Sequence, residues 1–346
     1  MKVLVTGGTG FVGSHVARQL MQSGQQVRLL VRSEDRARAC YEALPEATPE
    51  LVKGDITDKA SVYSALSGCD AVVHAAAGTP MGSTPERLKA VNVGGTANVV
   101  DAALERGIGR IVCVSSITAI FDEDPARVTP DAAPVPSKMP YGQSKVEAEL
   151  YLRALQDRGV PVAIVYPGGI VGPDDPGFSD ALKALKHRIE NGFRIFGDGG
   201  MQHVDVRDLA TFIASLAEAG GAGRFLVPGV YCKWTELADI VEQVSGCALQ
   251  RIPAQGWKLR LVGRMVDMVR RFRTVDSPIS AETMRYATLW PNIENTPELA
   301  QRGLRLRPAQ ETFGDTIRWM VRAGHVDASL CPKAAGLRPV SSTSTQ

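Results

Sequence analysis

Cysteine is scarce and unpatterned in this sequence. The six residues, Cys40, Cys69, Cys113, Cys232, Cys247 and Cys331, include no C-x-x-C pair and no histidine at ligand spacing. That excludes both a zinc site and a disulfide framework, and all six are expected as free thiols. Cys113 lies inside an apolar run and reads as a small core residue. No apolar run approaches the length of a membrane-spanning helix, and the chain opens on a short strand-like run, Lys2–Thr6, without a charged leader. A cytoplasmic location is therefore the default expectation. Neither charge is in surplus: 39 Lys and Arg against 37 Asp and Glu leave a formal net charge of +2. A nucleic-acid partner would call for a concentrated basic face. No metal site and no internal repeat is visible.

What is present is an ordinary globular composition, 44% apolar and 22% charged, over 346 residues. That length suits two domains, or one large α/β domain with an appendage. The first two thirds alternate short β-type runs with amphipathic stretches of helix length. The runs are 2–6, 26–31, 50–53, 71–74, 110–114 and 160–166. The helix candidates are 11–23, 34–43, 58–66, 84–106 and 141–158. Several runs are rich in Val, Ile and Leu at every position, as in strands covered by helices on both faces. The fold class expected is α/β, a doubly wound parallel sheet.

Between the first strand and the first helix stands Thr6-Gly7-Gly8-Thr9-Gly10-Phe11-Val12-Gly13. Gly7 permits a tight turn, Gly10 lets backbone approach a pyrophosphate, and Gly13 lets helix and strand pack closely. Phe11 and Val12 open the helix, whose N-terminal N–H groups would face the phosphates. In this context the glycines predict a Rossmann-type dinucleotide site. At the end of the second run, where an acidic residue would accept from ribose hydroxyls and favour NAD, stands Arg32. A guanidinium suits a 2′-phosphate, so NADP is preferred and NAD is the alternative. Asp55 and Ile56 follow the third run, where Asp55 could accept from the adenine amino group. Ala75 and Ala76 end the fourth, small enough for close approach.

Tyr141 and Lys145 are spaced i, i+4 and so share one helix face. Ser115 and Ser116 close the fifth run, at the end of the sheet where doubly wound folds bind ligands. A tyrosine titrates near pH 10. It needs a neighbouring positive charge, here Lys145, to exchange protons near neutrality.

With these motifs assembled, the sequence resembles the extended short-chain dehydrogenase/reductase family. The residues that carry the resemblance are TGGTGFVG (6–13), GDITD (54–58), HAAA (74–77), NVGGTANV (92–99), VSS (114–116), YGQSK (141–145), YPGGIVGP (166–173) and HVDVRDLA (203–210). It spans 1–245 firmly and 246–325 weakly, and is closest in pattern to dihydroflavonol-reductase-like and 3β-hydroxysteroid-dehydrogenase-like members. The resemblance implies Ser116, Tyr141 and Lys145 as the catalytic set, Ser116 being preferred to Ser115 by its spacing to the tyrosine. It adds Pro167 and Ile170 beside the nicotinamide, Asn92 on the helix and substrate side, and a homodimer. Where many nucleotide-sugar epimerases have Val-Tyr-Gly, this chain has Ala119-Ile120-Phe121. Where dehydratases have an acidic pair after the serine or threonine, it has Ile117-Thr118.

The dinucleotide-binding domain is placed at 1–167, its sheet completed by about 203–245. The substrate-binding part is placed at 168–202 and 246–327, and its Gly- and Pro-rich stretches 168–177 and 196–200 are expected as loops. The segment 333–346 is small and polar and is expected to be disordered. Within 255–273 a helix is expected on which Arg260, Gly263, Arg264, Asp267, Arg270 and Arg271 gather on about a third of the circle. Trp257, Leu261, Val262, Met265, Val266, Met268, Val269 and Phe272 fill the rest. It reads as a cap packed on the core, a substrate lid or a weak peripheral membrane contact. His203 is a candidate substrate contact or a structurally satisfied histidine. The leading expectation is an NAD(P)-dependent oxidoreductase interconverting a secondary alcohol and a ketone on a largely apolar small molecule. An NAD-dependent epimerase of a nucleotide sugar is the alternative, and a non-catalytic dinucleotide sensor the third reading.

Overall fold

The computed structural model describes residues 1–42, 48–79, 83–197, 199–270, 272–273 and 279–336. The chain begins β1 (Lys2–Thr6), α1 (Phe11–Gln22), β2 (Gln26–Val31), α2 (Glu34–Tyr41), β3 (Glu50–Lys53), α3 (Lys59–Ala65) and β4 (Ala71–His74). It continues through α4 (Pro85–Lys89), a π-helical turn (Ala90–Gly94), α5 (Gly95–Glu105), β5 (Ile111–Val114), α6 (Pro140–Gln156) and β6 (Val162–Pro167). Then come β7 (Gly169–Val171), α7 (Asp180–Asn191), β8 (Phe193–Phe196), β9 (Gly200–Asp205), α8 (Val206–Ala219) and β10 (Gly223–Val227). The last elements are β11 (Val230–Lys233), α9 (Trp234–Ser245), β12 (Arg251–Ala254), α10 (Gly256–Arg270), α11 (Ala281–Leu289), α12 (Pro297–Gln301) and α13 (Ala309–Arg322).

Seven strands form one sheet in the order β10-β6-β5-β4-β1-β2-β3, and every pairing in it is parallel. This is the doubly wound Rossmann arrangement read from the alternation. Every residue of β4 and β6 is buried, because helices cover both faces of the sheet. The strand order reverses between β1 and β4, so the connections that leave these two strands diverge. A crevice therefore opens at their carboxyl ends.

Two compact units divide the chain. The first comprises Met1–Gly168, Val206–Gly229 and Ile293–Arg305. The second comprises Gly169–Asp205, Val230–Asn292 and the described residues from Leu306 onward. In the second unit β11-β9-β7 form a three-stranded sheet and β12 pairs with β8. Trp234, Leu237 and Val241 of α9 and Phe313, Ile317 and Met320 of α13 lie in one buried cluster there.

Three expectations need correction. The sheet of the first unit is completed by 206–229, not 203–245: α9 was expected to return to it, but its apolar face is used in the second unit's core. The stretches 168–177 and 196–200, expected as loops, include β7 and the start of β9, short strands that backbone pairing stabilises without a strong apolar signal. Third, 293–305 falls with the first unit, where Asn295 brackets Gly229, its Nδ2 donating to the carbonyl (2.9 Å) and its Oδ1 accepting from the N–H (3.4 Å). Of the tail expected to be disordered, residues 333–336 form a turn, the Lys333 N–H donating to Ser245 O (3.0 Å) and Ala335 N–H to Cys331 O (2.9 Å). Residues 337–346 lie outside the described residues. No described helix is long and apolar enough to cross a membrane.

Candidate active site

The glycine turn is built against the end of β4. Gly7 adopts φ +75°, and a Cβ there would stand 2.6 Å from the Ala76 nitrogen and 2.8 Å from the Ala75 oxygen. A side chain at Gly13 would meet the Gly7 carbonyl oxygen at 2.2 Å, so α1 is seated directly on the turn. The Gly10 N–H donates to Gly7 O (2.8 Å). The first turn of α1 has neither an acidic residue nor a side-chain cap. Its N–H groups and positive dipole end are thus left for an anion. These residues fit a dinucleotide: Gly7, Gly10, Phe11, Val12 and Gly13 would hold the pyrophosphate on backbone N–H groups, with Ala75 and Ala76 alongside. Tyr41, not singled out in the sequence, ties α2 to this turn by donating to Gly8 O (2.7 Å).

Arg32 is exposed at the end of β2, just before Ser33 caps α2 by accepting from the Arg36 N–H (3.3 Å). Arg36, in the first turn of α2, is also exposed. Burial opposes ionisation of Asp55. Hydrogen bonds from the Thr57 N–H and hydroxyl (both 2.9 Å), with the charges of Arg32 and Arg87, nevertheless hold its pKa below the usual range. Asp55 Oδ1 is thus engaged by Thr57. The Ile56 carbonyl accepts from Asn98 (2.8 Å), and its side chain is buried against Gly95.

Tyr141 and Lys145 lie in the first turns of α6, with the Lys145 ammonium 6.0 Å from the centre of the Tyr141 ring. Lys145 is buried, and burial pushes its pKa down to about 8 against the opposing charge of Glu149. The two strand-end serines part company. Ser115 donates to Glu149 Oε2 (2.9 Å), whereas the Ser116 hydroxyl meets Thr118 Oγ1 (2.8 Å) and caps a short helical turn, Ile117–Ile120. Ser115 is therefore engaged by the buried Glu149, and Ser116 within its own helical turn.

Glu149 itself was missed in the sequence. It is fully buried, pairs with Arg153 (2.7 Å) and accepts from the Tyr166 hydroxyl. A cavity of about 10 Å³, enough for about one water, lies among His74, Ala76, Asn92, Ser115, Lys145 and Glu149. Of the expected site residues, Lys145 and Ala76 line it; Ser116 and Tyr141 do not. The signal for Glu149 was available: it follows Lys145 by one turn on the same face, where a buried ammonium calls for a carboxylate.

The expected helix 84–106 is interrupted by its π turn, which carries Asn92. Such bulges often mark functional positions. Asn92 accepts from the Gly78 N–H (2.7 Å) and donates to Ser144 Oγ (2.9 Å), which in turn donates to the Tyr141 carbonyl (2.7 Å). Asn92 thus fixes the start of α6. His74 bridges Thr6 (2.7 Å) and Thr96 (3.0 Å), and burial pushes its pKa down to about 3. Pro167 ends β6 in the first unit; Ile170 lies in β7 of the second. In the second unit His203 packs edge-on to Phe313, its ring neutralised by burial with a pKa near 3, and its Nδ1 has no hydrogen-bond partner. No cluster of metal-ligating side chains occurs among the described residues.

The family model of the NAD dependent epimerase/dehydratase family matches residues 3–227, the span that contains all of the first unit's candidate residues. The chain belongs to this family. Its relatives include dihydroflavonol-reductase-like and 3β-hydroxysteroid-dehydrogenase-like proteins, and it is an NAD(P)-dependent oxidoreductase of the extended short-chain dehydrogenase/reductase type. "Sterol demethylase protein B" of Methylococcus capsulatus is 26% identical over 94% of this chain and 100% of its own. The "4-hydroxy-2-methyl-3-oxo-4-farnesyl-3,4-dihydroquinoline-1-oxide ketoreductase" of Stigmatella aurantiaca is 32% identical over 71% of this chain and 74% of its own. The crystal structure of gox2253 superposes with a TM-score of 0.79 at 28% identity, covering 94% of this chain and 99% of that one.

Proposed function

We propose that the protein is an NADP-preferring reductase or dehydrogenase that interconverts a secondary alcohol and a ketone on a largely apolar small molecule. The observation that carries this reading is the buried Lys145 one helical turn from Tyr141, lining a cavity with His74 and Ala76 at the carboxyl end of β4 and with Ser115 at that of β5. A nicotinamide cofactor held on that turn would supply or accept the hydride. Tyr141 donates the proton to the ketone oxygen, and takes it back in the reverse direction. Ser116 holds that oxygen by a hydrogen bond while its charge changes. The Lys145 ammonium stabilises negative charge on the phenol oxygen and so eases the transfer.

An apolar substrate is supported by the relatives named for a sterol and for a farnesylated ketone. It is also supported at the stretch where many nucleotide-sugar epimerases have a tyrosine. Here Ala119, Ile120 and Phe121 are buried core residues that offer no side-chain hydroxyl. NADP preference rests on Arg32, exposed at the end of β2 where an acidic residue would favour NAD.

The test is Tyr141→Phe, assayed by NADPH-dependent reduction of a panel of apolar ketones beside nucleotide sugars. We expect turnover to fall by about two orders of magnitude or more with cofactor affinity nearly intact. Near-normal turnover would remove Tyr141 from the mechanism, and activity confined to nucleotide sugars would replace the reductase with an epimerase.

A further inference from the structure

A surface helix normally turns its apolar stripe inward and its charges outward. In α10 the arrangement is reversed. Gly263 is its one buried residue and packs on the main chain of Ser280 and Ala281 at the start of α11. The polar residues on that side are engaged within the second unit. Asp267 accepts from the Ala281 N–H (2.9 Å) and pairs with Arg270 (3.2 Å), and Arg260 donates to Thr288 (2.9 Å). These bonds fix the rotation of the helix about its axis, because rolling the apolar side inward would break them.

The opposite side is left outward. Trp257, Leu261, Val262, Met265, Met268 and Val269 are 43% to 63% exposed, and Phe272, just beyond the helix, is 83% exposed. At about 100° per residue the six helical positions fall within roughly 140° of the circle. A contiguous apolar surface of this kind marks a contact with something else. The charges say what. Asp267 is the one acidic residue between 256 and 273, and it is turned toward α11. Lys258 lies within the apolar arc, and Arg264 borders it; both are exposed, as is Arg273 just beyond the helix. A second copy of the chain meeting this face across a two-fold axis would set the same cations against one another, with no carboxylate on the patch to pair with them.

We propose that this face of α10 docks the protein on an anionic lipid surface, with the helix axis lying along the interface. The apolar arc would enter the acyl boundary, while the Lys258 stem lies along it and its ammonium reaches the headgroups. The proposal is independent of the catalytic assignment, and its test needs no turnover.

The test is co-sedimentation of the full chain with phosphatidylcholine vesicles, with and without phosphatidylglycerol. The variants are Met265→Ser/Met268→Ser and Lys258→Glu/Arg264→Glu. We expect the wild type to bind the phosphatidylglycerol vesicles, with a blue shift of Trp257 emission that is lost in Trp257→Phe. Binding should weaken with salt. Each double variant should lose roughly tenfold or more in partitioning, with melting temperature unchanged because the substituted side chains are exposed. Absence of wild-type binding overturns the proposal. Two such outcomes redirect it. If the methionine variant turns a dimer into a monomer, the face belongs to a second copy. If instead that variant raises KM for a water-soluble apolar ketone, the face is a substrate lid.

Discussion

Lys145 shows how one residue couples burial to chemistry. Desolvation disfavours its ammonium and Glu149 restores part of what burial removes, which leaves a pKa of about 8. The folded protein therefore releases this proton at lower pH than the unfolded chain does. Between about 8 and the ordinary 10.5 the unfolded state holds more protons, and stability from this group rises with pH. Activity should move the other way. As pH rises through about 8 the positive charge beside Tyr141 is lost, so kcat/KM for ketone reduction should fall. Glu149→Gln should shift that limb to lower pH, and a pH profile of the two proteins checks it. A limb that stays put would show that Glu149 does not act on Lys145. The same variant should melt earlier, since it leaves Arg153 without its carboxylate. At the other end of the site, Arg32→Asp would put a carboxylate where a 2′-phosphate is expected. NADPH affinity should fall and the preference move toward NADH. Fluorescence titration with both cofactors reads this, and unchanged NADPH affinity would show Arg32 to be a solvated surface residue.

At the scale of elements, the junction of β1 and α1 is the tightest fit in the cofactor half. Gly13→Ala would place a methyl 2.2 Å from the Gly7 oxygen. No flexible side chain can yield there, so the helix must shift from the turn. The cost should be about 1–3 kcal/mol of stability, with cofactor affinity lower by roughly tenfold or more because the helix N-terminus leaves the phosphates. Thermal melting and cofactor titration measure the two effects separately. If both are unchanged, α1 is not seated by this contact. The π turn works similarly at the other helix. It turns Asn92 toward Gly78 and Ser144, so an irregularity in one element sets the start of α6, where Tyr141 stands.

For the whole molecule, the candidate cofactor contacts of the glycine turn, Arg32 and the catalytic helix all belong to the first unit. A ligand that binds only the folded form stabilises it by mass action, about 2.7 kcal/mol at a hundredfold excess over Kd. NADPH should therefore raise the melting temperature by several degrees, and NADH at equal concentration by less. Equal shifts would remove the basis for NADP preference. The second unit has its own buried core around Trp234 and Phe313, and it carries α10 with its apolar face outward.

The doubly wound sheet, the glycine turn, and the placement of Tyr141 and Lys145 on one helix face were all legible in the linear chain. The reason is that each rests on local periodicity: strands buried on both faces read as unbroken apolar runs, and i, i+4 residues share a face whatever surrounds the helix. Glu149 was half legible, by its spacing from Lys145; that it also binds Ser115 and so separates the two serines required the sheet and helix to be assembled. The π turn at Asn92 left no compositional mark, because its residues differ from helical ones only in hydrogen-bond register. The destination of α9 and the return of 293–305 were decided by tertiary packing. An amphipathic pattern states that a face will be buried, and it does not state against what. For α10 it does not state even that: periodicity located the apolar arc, but hydrogen bonds to residues 281 and 288, distant in sequence, determined which way it points.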